Sequence, residues 1–307
     1  MDESILIAVL MGGPGSEREV SLASGKAVVE ALEGEGLKAM GVDVVDREPE
    51  IPAGVGLAFN VIHGTFGEDG GLQAYLEEKG VPYTGAGRED SRVAFDKALS
   101  KEVFLREGVP TPQSEVLDVS GGVRLPEIPV PFVVKPPREG SSVGIQIVKS
   151  EEEALAAIEA GAKFSDDLLI EEFVEGRELT VGILEGEAMP VVEIVPPEGG
   201  SYDFATKYPW LSGQETGSQY ACPAEIGEEA TAAVQAAAVA AHKSLGIGVY
   251  SRVDVLLNSL RKPYVLEANT IPGMTASSLL PMSAGAAGIS FGALCRRIAE
   301  ISLALRG

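Results

Sequence analysis

The segment from Arg252 to Thr275 constrains the fold more than any other, because it reads as two apolar strands joined by a short polar turn. The first strand is Arg252-Val-Asp254-Val-Leu-Leu and the turn is Asn258-Ser-Leu-Arg-Lys262. The second strand, Pro263-Tyr-Val-Leu-Glu267-Ala-Asn269, runs on into Thr-Ile-Pro-Gly273-Met-Thr275. Side chains two apart on a strand share a face, so Arg252 goes with Asp254 and Glu267 with Asn269. A hairpin centred on Ser259–Lys262 sets Asp254 across from Glu267 and gathers all four polar groups on one face. Two carboxylates and an amide oxygen suit a hard cation such as Mg²⁺, whose shell phosphate oxygens can complete. A solvated strand face with an incidental salt bridge is the alternative. The tight Pro-Gly continuation favours a built site.

A chain of 307 residues can form two or three subdomains with cores of their own. Apolar residues make up 45% and charged residues 23%, an ordinary globular balance. Lys and Arg total 24 against 46 Asp and Glu, a net charge of −22, which repels a nucleic-acid backbone over most of the surface. A small phosphorylated ligand is still compatible, since a few local lysines and a metal outweigh the global field. Cys222 and Cys295 are too isolated for a disulfide framework or a zinc site. The acidic start Met1-Asp-Glu-Ser lacks the basic region of a secretory signal, and no apolar run approaches the ~18 residues of a membrane span. The alanine-rich Ala230–Ala241 reads as a packed helix. The expectation is a cytoplasmic protein with neither a nucleic-acid nor a membrane partner.

Residues 4–88 alternate in the βαβ manner. Strands are expected at Ile5–Leu10, Lys38–Val45 and Leu57–Ile62, and helices at Arg18–Leu32 and Gly71–Lys79. Such alternation implies a parallel sheet covered by helices. One helix is then expected over Arg92–Arg106, stopped by Gly108 and Pro110, and a loop over Ser120–Pro131. Strands Phe132–Lys135 and Val143–Val148 precede a helix opened by a capping box of Ser150 with Glu153. Strands Leu168–Phe173 and Leu179–Leu184 complete a small α+β unit. From about Met189 onward, helices near Glu228–Leu245 and Phe291–Leu305 flank the hairpin.

Several polar stretches lie where strands end. Gly12-Gly13-Pro14-Gly15-Ser16-Glu17 joins the first strand to the first helix, where glycine lets backbone approach a ligand and helix N–H groups point outward. The Gly-x-Gly-x-x-Gly spacing of a dinucleotide loop is absent, and Glu17 could simply complement the helix dipole. His63-Gly64-Thr-Phe-Gly67-Glu68-Asp69-Gly70 follows a strand end, where open α/β sheets bind ligands. His242, by contrast, reads as a structural histidine. Lys135, ending the strand Phe132-Val-Val-Lys135 before Pro-Pro-Arg-Glu-Gly140-Ser141-Ser142, suits phosphate capture by an ammonium and loop N–H donors. A surface turn would use the same residues.

The hairpin resembles the carboxyl-terminal core of ATP-grasp ligases, and Glu267-Ala-Asn269-Thr-Ile-Pro-Gly273-Met-Thr275 is similar to the D-alanine–D-alanine ligase family in particular. Matched segments run in order over nearly the whole chain. The implied fold is an N-terminal parallel-sheet, Rossmann-like α/β domain (residues 1–88) followed by a two-lobed ATP-grasp fold. Its small lobe would span 89–180, and its large lobe, with the metal and second-substrate site, 181–307.

That resemblance implies a role for each matched residue. Glu17 would face the ammonium of the first D-alanine, and His63 would line the same site. Lys97 and Lys135 would hold nucleotide phosphates, while Glu171 and the backbone of Glu172 and Val174 would read adenine. Glu178 would take the ribose hydroxyls and Lys207 the transferring phosphate. Ser141 would bond to the substrate, Glu17 and Tyr208, whose tyrosine marks dipeptide makers; the run after it, Pro209 to Gly217, is longer than the family's usual loop. Asp254, Glu267 and Asn269 would hold two Mg²⁺, with Mn²⁺ able to substitute. Arg252 and the Gly273 N–H would form an oxyanion site, and Ser278 with Leu279 would hold the second D-alanine carboxylate.

The implied reaction is ATP-dependent joining of two D-alanines through an acyl phosphate, for peptidoglycan precursors, by a cytoplasmic homodimer. The alternatives are a relative taking D-lactate or another amino acid second, and a nucleotide-binding regulator without turnover.

Overall fold

The computed structural model describes residues 2–140, 143–197, 206 and 217–307. Strands β1 (Leu6–Gly12), β2 (Lys38–Val44) and β3 (Val55–Asn60) form a parallel sheet in the order β2-β1-β3. After its first residue β1 is buried throughout, which explains its unbroken apolar run. Helices α1 (Arg18–Gly34) and α2 (Gly71–Glu78) flank the sheet. All five elements fall where the alternation places them, with differences confined to their ends.

The helix expected over Arg92–Arg106 is two helices, α3 (Arg88–Phe95) and α4 (Lys97–Glu107). Asp96 divides them. Its backbone is extended, and its carboxylate accepts the N–H groups of Ala98 at 3.0 Å and Leu99 at 3.2 Å. An aspartate cap is worth about 1 kcal/mol, enough to restart a helix within a continuous helical pattern.

A second, antiparallel sheet has the order β4 (Ser114–Asp118), β7 (Asp167–Glu172), β5 (Phe132–Lys135), β6 (Gln146–Val148). Helix α5 (Glu151–Gly161) packs Ala154 and Ile158 against Phe132, Val134, Leu168 and Ile170. Strand β4 was not expected; it is a mostly exposed edge with a single buried residue, Leu117. The capping box does not form. The Ser150 side chain makes no cap bond, and the Glu153 carboxylate accepts the Lys149 N–H at 3.2 Å instead.

The third sheet, also antiparallel, runs β10 (Gln219–Ala221), β9 (Glu187–Val195), β8 (Gly176–Leu184), β11 (Tyr250–Asn258), β12 (Pro263–Asn269). The predicted hairpin is β11–β12: Asp254 pairs with Glu267 and Arg252 with Asn269, and the register slips just after Asp254. Strands β9 and β10 were not anticipated, partly because Pro190 argues against a strand. It falls where the β8–β9 register slips, a place that tolerates a residue with no N–H. Helix α6 (Glu228–Ser244) packs on this sheet, with α7 (Leu279–Ala286) and α8 (Phe291–Arg306) following β12.

The first sheet does not close alone. Ile7, Val9 and Phe59 share one core with Met274, Leu294 and Ile298. Arg306 on α8 donates to the carbonyls of Tyr83 at 3.1 Å and Gly85 at 2.8 Å. His242 is buried with Nδ1 2.8 Å from Ser251 Oγ, and burial lowers its imidazole to about 4, in keeping with a structural histidine. Among the described residues, no helix is long and apolar enough to cross a membrane.

Candidate active site

Glu17 immediately precedes α1 and is 9% exposed. A Cβ placed on Gly64 would come within 3.1 Å of its Oε2, and one on Gly140 within 3.0 Å, so both loops close on this carboxylate because they carry glycine there. Gly13 holds a φ of +88°, and a Cβ on it would collide with Ile62. The glycine loop therefore lies directly against the chain leaving β3.

His63 is committed on both sides of its ring. Nδ1 lies 2.9 Å from Ile271 O and Nε2 3.2 Å from Ser24 Oγ, which accepts the Met274 N–H at 3.3 Å. Burial pushes the imidazole below its usual value despite the pull of Glu17. The neutral ring then donates from Nδ1 and accepts the Ser24 hydroxyl at Nε2. His63 thus fastens the segment that leads into Gly273.

Glu68 was not among the expected site residues. Its Oε1 accepts the Gly64 N–H at 2.9 Å and lies 3.9 Å from His63 Nδ1. Burial first, then the Glu17 carboxylate, raises its carboxyl to about 8. Its place just after a strand end, in Gly67-Glu68-Asp69-Gly70, was the available signal.

On the hairpin, Arg252 grips Asp254 from both sides, Nε to Oδ1 at 3.0 Å and a terminal nitrogen to Oδ2 at 2.9 Å. Thr180 Oγ1 donates to Asp254 Oδ1 at 2.6 Å, and Asn269 Nδ2 to Oδ2 at 3.2 Å. Lys97 Nζ lies 3.2 Å from Glu267 Oε2 and donates to Glu139 O at 2.8 Å. Each carboxylate thus already faces a cation. Among the described residues no trio of His, Cys, Asp or Glu converges on a metal position. The hard-oxygen pair plus amide fits a divalent ion that draws the rest of its shell from phosphate.

On the second sheet, the ammonium of Lys135 pairs with Glu171 Oε2, and Lys101 Nζ stands 2.5 Å from Oε1. The latter is an ion pair without hydrogen-bond alignment, leaving Oε1 a buried acceptor with no aligned donor. Against the penalty of burial, the two ammonium groups hold the Glu171 carboxyl below its usual value. Glu172 is exposed and its N–H is donated to Gln113 O at 2.9 Å; Val174 is half-buried.

Two cavities gather these groups. One of about 290 Å³ is lined by Glu17, His63, Glu68, Lys97, Arg252, Glu267, Asn269, Gly273, Ser278 and Leu279. A second, of about 100 Å³, is lined by Lys97, Lys135, Glu178, Asp254 and Glu267, so Lys97 and Glu267 border both. Glu171, Glu172 and Val174 border neither; Glu171 reaches the second through Lys135. Ser278 precedes α7 and Leu279 opens it, and Ser278 Oγ accepts the Thr275 N–H at 3.0 Å. A helix N-terminus of this kind favours a carboxylate. Ser141, Lys207 and Tyr208 lie outside the described residues; Thr206, next to Lys207, lines the larger cavity.

A family model described as the D-ala D-ala ligase C-terminus matches residues 118–300. A D-alanine--D-alanine ligase of Methylacidiphilum infernorum is 47% identical over 96% of this chain and 95% of its own length. One from Citrifermentans bemidjiense is 45% identical over the same shares. The crystal structure of the Bacillus anthracis D-alanine--D-alanine ligase complexed with ATP superposes with a TM-score of 0.85, at 31% identity, covering 99% of each chain. The expected architecture, a parallel α/β unit followed by a two-lobed ATP-grasp fold, holds. Sheet order, near-complete coverage and identity well above 30% agree that this chain belongs to the D-alanine–D-alanine ligase family.

Proposed function

We propose that this chain is an ATP-dependent carbon–nitrogen ligase joining two D-alanines into D-alanyl-D-alanine. The observation that carries this is the pair of cavities sharing Lys97 and Glu267, one suited to amino acids and one to phosphates. In the larger, Glu17 receives the ammonium of the first D-alanine, backed by a neutral His63. Ser278 and the opening N–H groups of α7 receive the carboxylate of the second.

The first carboxylate attacks the γ-phosphorus of ATP, forming an acyl phosphate as ADP leaves. The second amine then attacks the acyl carbon, and phosphate departs. Arg252 and the Gly273 N–H stabilise the oxyanion of that tetrahedral intermediate, with Ser141 and Tyr208 as the proton relay. Positioning and charge stabilisation carry such a reaction. Asp254, Glu267 and Asn269 would hold Mg²⁺, two ions with Mn²⁺ able to replace them, which neutralise phosphate charge when bound.

Lys97, Lys135 and Lys207 take the phosphates and Glu178 the ribose. Glu171, buried, bordering neither cavity and paired through its two oxygens with Lys135 and Lys101, acts on the nucleotide through Lys135 rather than by touching the base. Glu172, its N–H committed, contributes its carbonyl, and Val174 its backbone. Residues 1–88, 89–180 and 181–307 serve as the three functional units, with β8 (Gly176–Leu184), expected in the second, crossing that boundary into the third sheet. The proposal extends to peptidoglycan precursor supply, a cytoplasmic location and a homodimer, each supported by family membership rather than by any contact in the chain.

The test is ADP release with D-alanine, L-alanine, D-alanine plus D-lactate, or no amino acid, with the product weighed by mass spectrometry. D-alanine-dependent ADP release with the D,D-dipeptide as product is expected. ADP release indifferent to D-alanine, or a depsipeptide as main product, would overturn the assignment.

A further inference from the structure

Lys101 lies on α4 one turn beyond Lys97 and is 2% exposed. Its ammonium stands 2.5 Å from Glu171 Oε1, while Lys135 takes Oε2. It also bonds Thr111 Oγ1 and lies 3.2 Å from the Pro112 carbonyl. Thr111 Oγ1 donates to Val265 O at 2.7 Å, and the Val265 N–H donates to Pro110 O at 2.8 Å, so the network is anchored on β12.

Two ammonium groups share one buried carboxylate, which leaves a net positive charge behind the cavity that Lys135 lines. Buried charge without full compensation is destabilising, and a packed apolar side chain in place of Lys101 would balance Glu171 against Lys135 alone. The imbalance therefore has no structural benefit. It does have a binding consequence: without the second ammonium, Lys135 and Glu171 would close into a neutral pair.

We propose that Lys101 is a positioning residue for nucleotide binding: it holds one oxygen of Glu171 so that the Lys135 charge stays available to the nucleotide in the cleft. This rests on the reading of the smaller cavity as the nucleotide site. Burial lowers the Lys101 ammonium to about 8, with Glu171 opposing and Lys135 adding to the shift. The charged groups facing it are Glu171 from β7 and Lys135 from β5; the Thr111 side offers only a hydroxyl and a carbonyl. Its charge is thus present at pH 7 and lost by pH 9.

The test measures the dissociation constant of a non-hydrolysable ATP analogue with Mg²⁺ from pH 7 to 9, for wild type, Lys101→Met and Lys101→Arg. Wild type should weaken by about tenfold across pH 8. Lys101→Met should be about tenfold weaker already at pH 7 and insensitive to pH, with the KM for D-alanine unchanged. Lys101→Arg, charged throughout, should keep wild-type affinity at pH 7 and lose the pH dependence. Lys101→Met binding like wild type, or a flat wild-type curve, overturns the proposal. If Lys101→Met does not fold, as its melting curve would show, the wild-type and Lys101→Arg curves decide. A wild type that binds no analogue at any pH overturns the nucleotide reading itself.

Discussion

Lys97 stands 3.2 Å from Glu267 Oε2 while donating to the Glu139 carbonyl at 2.8 Å, so one ammonium bridges the hairpin carboxylate and the loop after Lys135. It occupies the junction of the two cavities, where phosphate would meet both. Lys97→Met should therefore raise the KM for ATP by about tenfold or more, the worth of a charge-assisted hydrogen bond. Steady-state kinetics at saturating D-alanine would check this, and an unchanged KM for ATP would refute it.

Stripping divalent ions with a chelator should abolish turnover and leave the fold standing. Asp254 and Glu267 each face a cation of the chain itself, Arg252 and Lys97, so neither is left uncompensated. The melting temperature should move by only a few degrees. A collapse of the melting transition on chelation would mean the metal is structural.

Arg252→Ala should lower kcat by ~10²–10³, as loss of one oxyanion donor commonly does. Asp254 also loses its two-point cationic partner, so a lower Mg²⁺ requirement should accompany the change, the ion no longer competing with a guanidinium for that carboxylate. Near-normal turnover in a magnesium titration would remove Arg252 from the reaction.

Gly273→Ala would place a methyl 2.9 Å from Ser278 Oγ, a flexible side-chain atom that can move aside. The protein should fold normally while turnover falls by about tenfold or more, because the methyl crowds the oxyanion position. Comparing melting temperature with kcat separates the two effects; equal loss of both would make Gly273 merely structural.

Glu68→Gln tests the raised carboxyl beside Glu17. Its folded value of about 8 exceeds that of the unfolded chain, so the native state holds a proton the unfolded state releases. That stability is complete below about pH 4.5 and is lost as pH rises through 8. Glu68→Gln should escape the loss and exceed wild type by roughly 2–4 kcal/mol at pH 8.5, with little difference at pH 4.5. Parallel denaturation curves at the two pH values would show it; equal stabilities at pH 8.5 would mean Glu68 ionises normally.

The hairpin was legible because alternation on Arg252–Asp254 and Glu267–Asn269 admits only one pairing about a four-residue turn, and the register agrees. The helix break at Asp96 was not, since its cap chemistry competes with a helical pattern that runs on through Arg92–Arg106. Strand β9 hid behind Pro190, whose lack of an N–H is harmless only at a register slip that pairing creates. Within the site, Thr180 and Lys101 were invisible for a common reason. Each acts through a partner distant in sequence, Asp254 and Glu171 respectively, and no local pattern announces it.

The clasp of His63 on Ile271, and of Ser24 on Met274, joins residues 208 and 250 positions apart in the chain. A nascent polypeptide therefore cannot assemble the larger cavity until Gly273 has been translated, however early β1 to β3 collapse. Premature termination anywhere before Gly273 should yield fragments that lack this cavity altogether.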